Sequence, residues 1–170
     1  MKIDLGCGKN KKEGFIGVDV IAFDGVDIVC NIGKDPLPFK DEEVEEVHAS
    51  HFVEHLTAPE RIHLANELHR VMKKGAKCSI IVPHFASCRA YGDLTHQWPP
   101  VSEFWFLYLN KAWREVNAPH SLYSESLDFD HTLGYSLRND ILARSMEFQQ
   151  FAMQNYKEVC QDIIATLIKR

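Results

Sequence analysis

Short apolar segments separated by glycine- and proline-containing turns are the main pattern in the first half of the chain. Segments rich in β-branched residues predict strands at 2–5, 15–20, 26–30 and 44–50. A continuous apolar segment around Ile80 predicts a fully buried fifth strand over 77–83.

A helical period begins after the fourth strand. Thr57 and Glu60 have the spacing of a capping box, and apolar residues then recur at helical intervals. Lys73 and Lys74 suit the C-terminal end of a helix, and Gly75 predicts where the helix stops. Strands that alternate with crossovers predict an α/β fold with a mostly parallel sheet.

The second half of the chain is less regular. Residues 84–101 form a polar and aromatic loop, and Ser102 opens a short helix. We expect a strand at 127–137, a helix over 139–156 and a closing strand at 163–168. The candidate buried positions of that helix are Ile141, Ala143, Met146, Phe148 and Phe151. Because no repeat or linker interrupts the chain, we expect one domain over 1–170.

Composition narrows the class of protein. The 170 residues include 19 Lys and Arg against 24 Asp and Glu, and this charge of −5 disfavours a general nucleic-acid binder. No apolar run is long enough to span a bilayer, and the first residues lack a signal-peptide pattern. Five cysteines without a CxxC spacing disfavour a disulfide framework. We therefore expect a cytoplasmic protein with reduced thiols and no membrane partner.

A glycine loop and an acidic residue mark the first candidate site. Asp4-Leu-Gly-Cys-Gly8 follows the first strand, and two glycines let the backbone turn tightly and approach a ligand. Asp19 ends the second strand, where a carboxylate can accept hydrogen bonds from ribose hydroxyls. Ligands of parallel sheets bind at the carboxyl ends of strands, so these features predict a nucleoside site. A purely structural turn is the alternative.

Six short motifs occur in an order that resembles one enzyme family. They are Asp4–Gly8, Gly17–Asp19, Leu37–Phe39, Ser50–Leu56, Arg70–Gly75 and Ile81–His84. Their order and spacing resemble the class I S-adenosylmethionine-dependent methyltransferases, in particular the compact type 11-like branch. The resemblance implies a Rossmann-like fold, with a mostly parallel sheet of seven or slightly fewer strands flanked by helices. It also implies S-adenosyl-L-methionine as the cofactor.

The resemblance places the cofactor at the strand ends. Asp4, Gly6 and Gly8 would lie under its methionine part, Asp19 would hold the ribose, and Asn31 would face the adenine amine. The residues implied to bind the cofactor are Asp4, Leu5, Gly6, Cys7, Gly8, Asp19, Val20, Asn31, Ile32, Ser50 and His51, and no metal is implied. In one respect the chain departs from the family, because residues 6–14 are too few for the usual helical connection. We therefore expect a shortened first crossover built as a tight loop.

Four side chains are candidates for catalysis, namely His51, His84, Asp93 and His96. His51 would border the sulfonium, and His84 or His96 could act as a general base because imidazole titrates near neutrality. Asp93 and His96 form a D-x-x-H pair, for which a hydrogen bond that stabilises the loop is the alternative. In this fold the acceptor pocket comes from variable loops, here 84–125. We expect a small-molecule acceptor rather than a nucleic acid, and a homodimer is possible.

Two other functions compete with methyl transfer. His51-Phe-Val-Glu54-His55 matches the H-x-x-E-H pattern of inverted zinc proteases, which predicts a zinc hydrolase with Glu125 as a candidate third ligand. Alternatively, Glu54 and His55 brace the loop before Thr57. The second competitor is a non-catalytic module that keeps the fold for binding.

Overall fold

A single seven-stranded sheet organises the computed structural model, which describes residues 1–170. The strands are β1 (Lys2–Leu5), β2 (Ile16–Asp19), β3 (Ile28–Val29), β4 (Val44–Ser50), β5 (Met72–Pro83), β6 (Phe129–Leu137) and β7 (Cys160–Lys169). Their order is β3-β2-β1-β4-β5-β7-β6, with parallel pairing from β3 to β5. Only β7 runs antiparallel to its neighbours. The predicted fold class is confirmed.

Six helices and one 3₁₀ turn connect the strands. The helices are α1 (Ala58–Val71), α2 (Arg89–Gly92), α3 (Glu103–Leu107), α4 (Lys111–Asn117), α5 (Asn139–Leu142) and α6 (Met146–Asn155). The 3₁₀ turn (Val53–His55) lies between β4 and α1. None of the helices is long and apolar enough to cross a membrane.

The junction between α1 and β5 differs from the prediction. The helix begins as expected with a capping box between Thr57 and Glu60, but it ends at Val71. Residues predicted to close the helix, Lys73, Lys74 and Gly75, belong to β5 instead. Met72 already pairs with Val44, and the register then shifts before the next pair. Gly75 has φ +79°, a conformation that glycine adopts readily. This conformation lies within the irregular segment of β5 and not at a helix cap.

One face of the central sheet is packed and the opposite face is more open. Val47 of β4 and Ile80 of β5 are fully buried, in the same 28-residue cluster as Leu64 of α1. On the other face His48 is only half-buried, and Ile164 of β7 is 40% exposed. The packed face therefore holds the core, and α1 is the only helix between the first five strands.

The first crossover is short and braced by carboxylates. The backbone amide of Lys12 donates to Asp4 Oδ2 at 2.8 Å. Lys11 Nζ contacts both carboxylate oxygens of Asp27 at 3.0 and 2.8 Å, and the amide of Gly17 donates to Asp27 Oδ2 at 2.7 Å. These bonds return the chain from β1 to β2 without a helix, as the short spacing predicts.

The single helix predicted over 139–156 is wrong. The chain forms α5 and α6, separated by a break at which the Ser145 side chain accepts from the Phe148 amide. Two predicted core positions, Met146 and Phe151, are 74% and 50% exposed, and Ala152 is the buried residue. The reason is packing, because α6 contacts only a small cluster around Leu137, Val159 and Cys160 at one end of β6 and β7.

Candidate active site

Two adjoining cavities open beside the carboxyl ends of β1, β2 and β4. The larger, about 490 Å³, is lined mainly by the end of β2, the residues after β3 and the turn after β4. The smaller, about 410 Å³, is lined mainly by the glycine loop and the end of β4. Both volumes lie in the roughly 300–1,000 Å³ range of small-molecule sites. Gly6 and His51 line both cavities, so these two residues mark where the cavities meet.

The structure brings together almost all residues that the sequence predicts for the cofactor. Those in the smaller cavity are Asp4, Cys7, Gly8 and Ser50, those in the larger are Asp19, Val20, Asn31 and Ile32, and Gly6 and His51 line both. Leu5 is the exception, because its side chain is fully buried in the core and lines neither cavity.

Gly6 occupies a position that no larger residue fits. Its φ is +64°, and its amide donates to the Val18 carbonyl at 2.8 Å. A Cβ built at Gly6 would lie 2.4 Å from the ring of Phe52, well inside van der Waals contact. The turn after β4 therefore packs directly on the glycine loop, and a side chain at Gly6 would displace it.

Asp19 fixes the shape of the site from β2. Its Oδ2 accepts from the Gly8 amide at 2.9 Å, and its Oδ1 accepts from the Ile21 amide at 3.0 Å. Each carboxylate oxygen retains a further lone pair for a ligand. Asp19 thus holds the glycine loop against the end of β2 and keeps acceptor capacity toward the larger cavity.

Apolar side chains wall the larger cavity. Val20 and Ile21 are 57% and 53% exposed, which is unusual for β-branched residues beside a sheet. Phe52 and Leu56 line the same cavity from the turn after β4. Sequence reasoning missed Ile21, Phe52 and Leu56, although an apolar residue directly after a strand end was an available signal for Ile21.

His51 is held in a strained position between the two cavities. Its φ of +52° is uncommon for a residue other than glycine. Its Nδ1 lies 3.3 Å from Glu54 Oε1, and hydrogen bonding to this carboxylate raises the pKa of His51 despite partial burial. The carboxylate thereby orients the ring and favours its charged form.

His84 does not reach either cavity. It is 3% exposed, its Nε2 lies 3.2 Å from Glu103 Oε1, and its Nδ1 accepts from the Ala86 amide at 3.1 Å. Both ring nitrogens are engaged, so the geometry does not support the predicted general base at this position. His84 instead fixes the start of the loop that follows β5.

Asp93 and His96 also lie outside the cavities. The exposed Asp93 accepts from the amide and hydroxyl of Thr95 at 2.8 and 2.7 Å rather than from the ring of His96. The alternative, in which an Asp93–His96 side-chain hydrogen bond stabilises the loop, is therefore wrong. The His96 ring lies edge-on to His55, with centroids 4.7 Å apart, and His55 lines the larger cavity.

The loop segment after β5 is anchored by a buried arginine. Arg61 of α1 is 4% exposed and donates to the carbonyls of Val53, Glu54, Gln97 and Pro99. Its burial lowers its pKa from the ordinary arginine value. This single side chain fastens residues 97–99 to the 3₁₀ turn beside the larger cavity.

The zinc-hydrolase alternative has no support. Its motif requires His51 and His55 to lie one turn apart on the same helix. In the structure the helical segment is a single 3₁₀ turn, Val53–His55. His51 precedes this turn and has a left-handed backbone conformation. Glu125, the candidate third ligand, lines a separate cavity with Lys111 and Arg114.

Comparisons with known proteins agree with this arrangement. Residues 8–80 match a family model described as a methyltransferase domain. A SAM-dependent methyltransferase from Archaeoglobus fulgidus has a TM-score of 0.70 at 21% identity, over 99% of this chain and 85% of that one. Geranyl diphosphate C-methyltransferase from Streptomyces coelicolor A3(2), solved with Mg²⁺, geranyl diphosphate and S-adenosyl-L-homocysteine, has a TM-score of 0.60 at 14% identity, covering 99% and 73%.

A further neighbour has a lower score. Phosphoethanolamine N-methyltransferase 2 from Haemonchus contortus, solved with S-adenosyl-L-methionine, has a TM-score of 0.51 at 13% identity, over 99% of this chain and 48% of that one. No curated protein matches the chain in sequence.

The fold and the matched segment point to one class of protein. The chain shares the fold of S-adenosylmethionine-dependent methyltransferases, and residues 8–80 match a methyltransferase-domain model. Both findings agree with the predicted family, enzyme class and cofactor.

Proposed function

We propose that this protein transfers a methyl group from S-adenosylmethionine to a small-molecule acceptor, with the cofactor lying across both strand-end cavities. The observation that carries the proposal is that the two cavities meet at Gly6 and His51. A ligand with a nucleoside at one end and an amino acid at the other needs such a pair of connected sites.

The larger cavity suits the nucleoside. Asp19 offers carboxylate lone pairs to ribose hydroxyls, and Asn31 offers an amide oxygen to the adenine amine. Val20, Ile21 and Phe52 offer apolar surface to the faces of a purine ring. Burial of Val20 and Ile21 by the base would explain why these side chains are exposed.

The smaller cavity suits the methionine part. Gly6 and Gly8 have positive φ values, so the loop brings backbone rather than side chains to its floor. Ser50 supplies a hydroxyl, and the Asp4 carboxylate is taken by the Lys12 amide and so acts as a brace for the loop. The cavity therefore offers backbone and hydroxyl groups to the amino-acid end of the cofactor.

His51 lies at the junction where the reacting centre would be. The bound cofactor supplies an electrophilic methyl group on a positively charged sulfur. The chain positions the two reactants and excludes water, which supplies much of the rate enhancement in such transfers. We assign to the neutral form of His51 the acceptance of a proton when the acceptor has one to lose. The Glu54 carboxylate beside Nδ1 then stabilises the charge that the ring gains.

Charge and neighbouring enzymes favour a small acceptor. The chain carries a net charge of −5, whereas binding to nucleic acid phosphates depends on Lys and Arg contacts. Two structural neighbours are named for geranyl diphosphate and phosphoethanolamine, both small molecules. The loops at 84–125 are proposed to form the acceptor side. A homodimer and a cytoplasmic location stay predictions.

Calorimetric titration with S-adenosylmethionine and its demethylated product tests the proposal. We expect one site per chain and a loss of about tenfold or more in affinity for Asp19→Asn, about 1.4 kcal/mol. Asp24→Asn, at an exposed aspartate outside the cavities, is the matched control and should bind like the unaltered protein. If the protein binds neither compound, the proposal is contradicted. Binding without methyl transfer to any of a broad panel of acceptors would favour the non-catalytic module.

A further inference from the structure

Three potential metal ligands meet where the 3₁₀ turn touches the loop after β5. Glu54 and His55 come from the turn, and His96 comes from the loop. One ligand atom from each of these residues lies within 4.8 Å of those of the other two. The methyl-transfer chemistry proposed above uses neither His96 nor the second oxygen of Glu54.

The Glu54 carboxylate has an unfilled position. The residue is 4% exposed, and its Oε1 is 3.3 Å from His51 Nδ1. Its Oε2 is buried and has no hydrogen-bond partner. The nearby guanidinium of Arg61 donates to backbone carbonyls rather than to this oxygen. Because an unpaired buried carboxylate oxygen is costly, a cation is the natural occupant.

Both imidazoles have one nitrogen engaged and one free. Thr95 Oγ1 donates to Asp93 Oδ1 at 2.7 Å and therefore accepts from His55 Nδ1 at 2.9 Å. His96 Nδ1 is 3.3 Å from the Ala90 carbonyl, which can only accept. Each ring thus carries its proton on Nδ1 and keeps the Nε2 lone pair free. Metal-bound histidines are held in this way by carboxylates and carbonyls outside the ligand set.

We propose that Glu54, His55 and His96 bind one divalent transition-metal ion, which fastens the loop after β5 to the wall of the larger cavity. Two imidazole nitrogens and one carboxylate oxygen suit zinc, cobalt or nickel, whereas magnesium and calcium prefer oxygen ligands throughout. The Arg61 charge opposes the ion, and the charges of Glu54 and Asp93 favour it. The ligand set differs from the hydrolase motif because His96 replaces His51, and no hydrolysis is implied.

Metal titration of the tag-free, chelator-treated protein tests the site. Equilibrium dialysis against zinc, followed by elemental analysis, should give one ion per chain. Titration with cobalt(II) should give the intense visible bands of a four-coordinate ion. Glu54→Gln and His96→Ala should each weaken binding by more than tenfold, because each removes one of the three proposed ligands.

His120→Ala, which removes an exposed histidine outside the cluster, is the control and should leave binding unchanged. Glu54 is buried, so Glu54→Gln could fail to fold. His96 lies on a loop, so His96→Ala should fold and still tests the site. Zinc should also raise the melting temperature of the unaltered protein but not that of His96→Ala. Substoichiometric binding, or binding that His96→Ala leaves intact, would overturn the proposal. Neither readout depends on S-adenosylmethionine, so the two proposals fail independently.

Discussion

Gly6 shows how one residue can set the geometry of two cavities. Its positive φ turns the chain out of β1, and its lack of a side chain lets Phe52 approach from the turn after β4. The contact joins two segments that are far apart in sequence. A glycine loop is therefore needed for packing within the protein as well as for access by a ligand.

Replacement of Gly6 by alanine should abolish the close approach of Phe52. A left-handed alanine costs about 1–2 kcal/mol by itself, and the Cβ clash with the Phe52 ring adds to this cost. We expect Gly6→Ala to lower affinity for the demethylated cofactor product by at least about tenfold, or 1.4 kcal/mol. Calorimetry measures the effect.

Gly14→Ala provides a matched comparison for this change. Gly14 has φ +79°, its added Cβ would meet nothing within 4 Å, and it lines neither cavity. Gly14→Ala should therefore lower the stability of the protein, because alanine is strained at a positive φ, but it should leave the affinity for the ligand unchanged. Equal affinity in the two variants would contradict the role of the Phe52 contact.

The site residues that sequence reasoning found all belong to short motifs at strand ends. Asp19 and Gly8 could be predicted because a parallel sheet brings its carboxyl ends to one edge. Phe52 and Leu56 could not, because their place depends on how the turn after β4 packs on the glycine loop. The place of His84 could not be predicted for a related reason, because a strand-end position does not say whether a side chain points to the cavity or to Glu103.

At the scale of elements, α1 holds the connection between β3 and β4. Glu67 of α1 accepts from the Leu37 amide at 2.7 Å and from Arg70 at 2.9 and 2.6 Å. Arg70 in turn donates to the carbonyls of Leu37 and Phe39. These bonds hold in place a connection that contains no helix of its own.

Glu67→Gln should destabilise the protein in a pH-dependent way. The hydrogen bond from Arg70 lowers the pKa of Glu67, so its contribution is complete above the unfolded value of about 4.3 and is lost as pH falls through the folded value. We expect a loss of about 1.5–3 kcal/mol at pH 7, as for hydrogen bonds to charged groups. Urea unfolding at a series of pH values measures it.

The difference in free energy of unfolding between the unaltered protein and Glu67→Gln should shrink at acid pH. Glu13→Gln, at an exposed glutamate of the first crossover, should change stability little at any pH. A Glu67→Gln penalty that stays constant down to pH 3 would contradict the assignment.

Elements with strong local patterns were predicted well, and elements shaped by distant packing were not. The β-branched segments gave the five parallel strands, and the capping box gave the start of α1. The end of α1 was misplaced because pairing of Met72 with Val44 outweighs a favourable helix terminus. The 139–156 region was misread because α6 covers only one end of β6 and β7, so Ala152 is the only fully buried residue of α6.

For the molecule as a whole, β7 is the strand that joins its two parts. It lies between β5 and β6 and pairs with both along most of its length. Ile163, Ala165 and Leu167 project from it into the core and are fully buried. The sheet therefore has no division that could unfold separately without breaking this strand.

Ile163→Ala should destabilise the whole molecule in one transition. A fully buried isoleucine truncated to alanine typically costs about 2–5 kcal/mol. We expect circular dichroism and tryptophan fluorescence to report the same lowered midpoint in guanidinium. Ile164→Ala, at the 40% exposed neighbour on the open face, should cost much less.

Two separate transitions in Ile163→Ala would show that the sheet is divisible. Equal costs for Ile163→Ala and Ile164→Ala would show that the two faces are packed alike. The first result would contradict unfolding in one transition, and the second would contradict the placement of the core on one face.

The position of β7 also sets an order of events during folding. Strand β5 and its partner β7 come from distant parts of the chain, so their pairing requires closure of a long loop. Until β7 pairs with it, β5 is an edge of the parallel part of the sheet with unpaired backbone groups, and β6 has no partner strand in the sheet. Unprotected edges of this kind recruit strands from other chains. The strand that completes the sheet is therefore also the one whose late arrival leaves the folding chain open to aggregation.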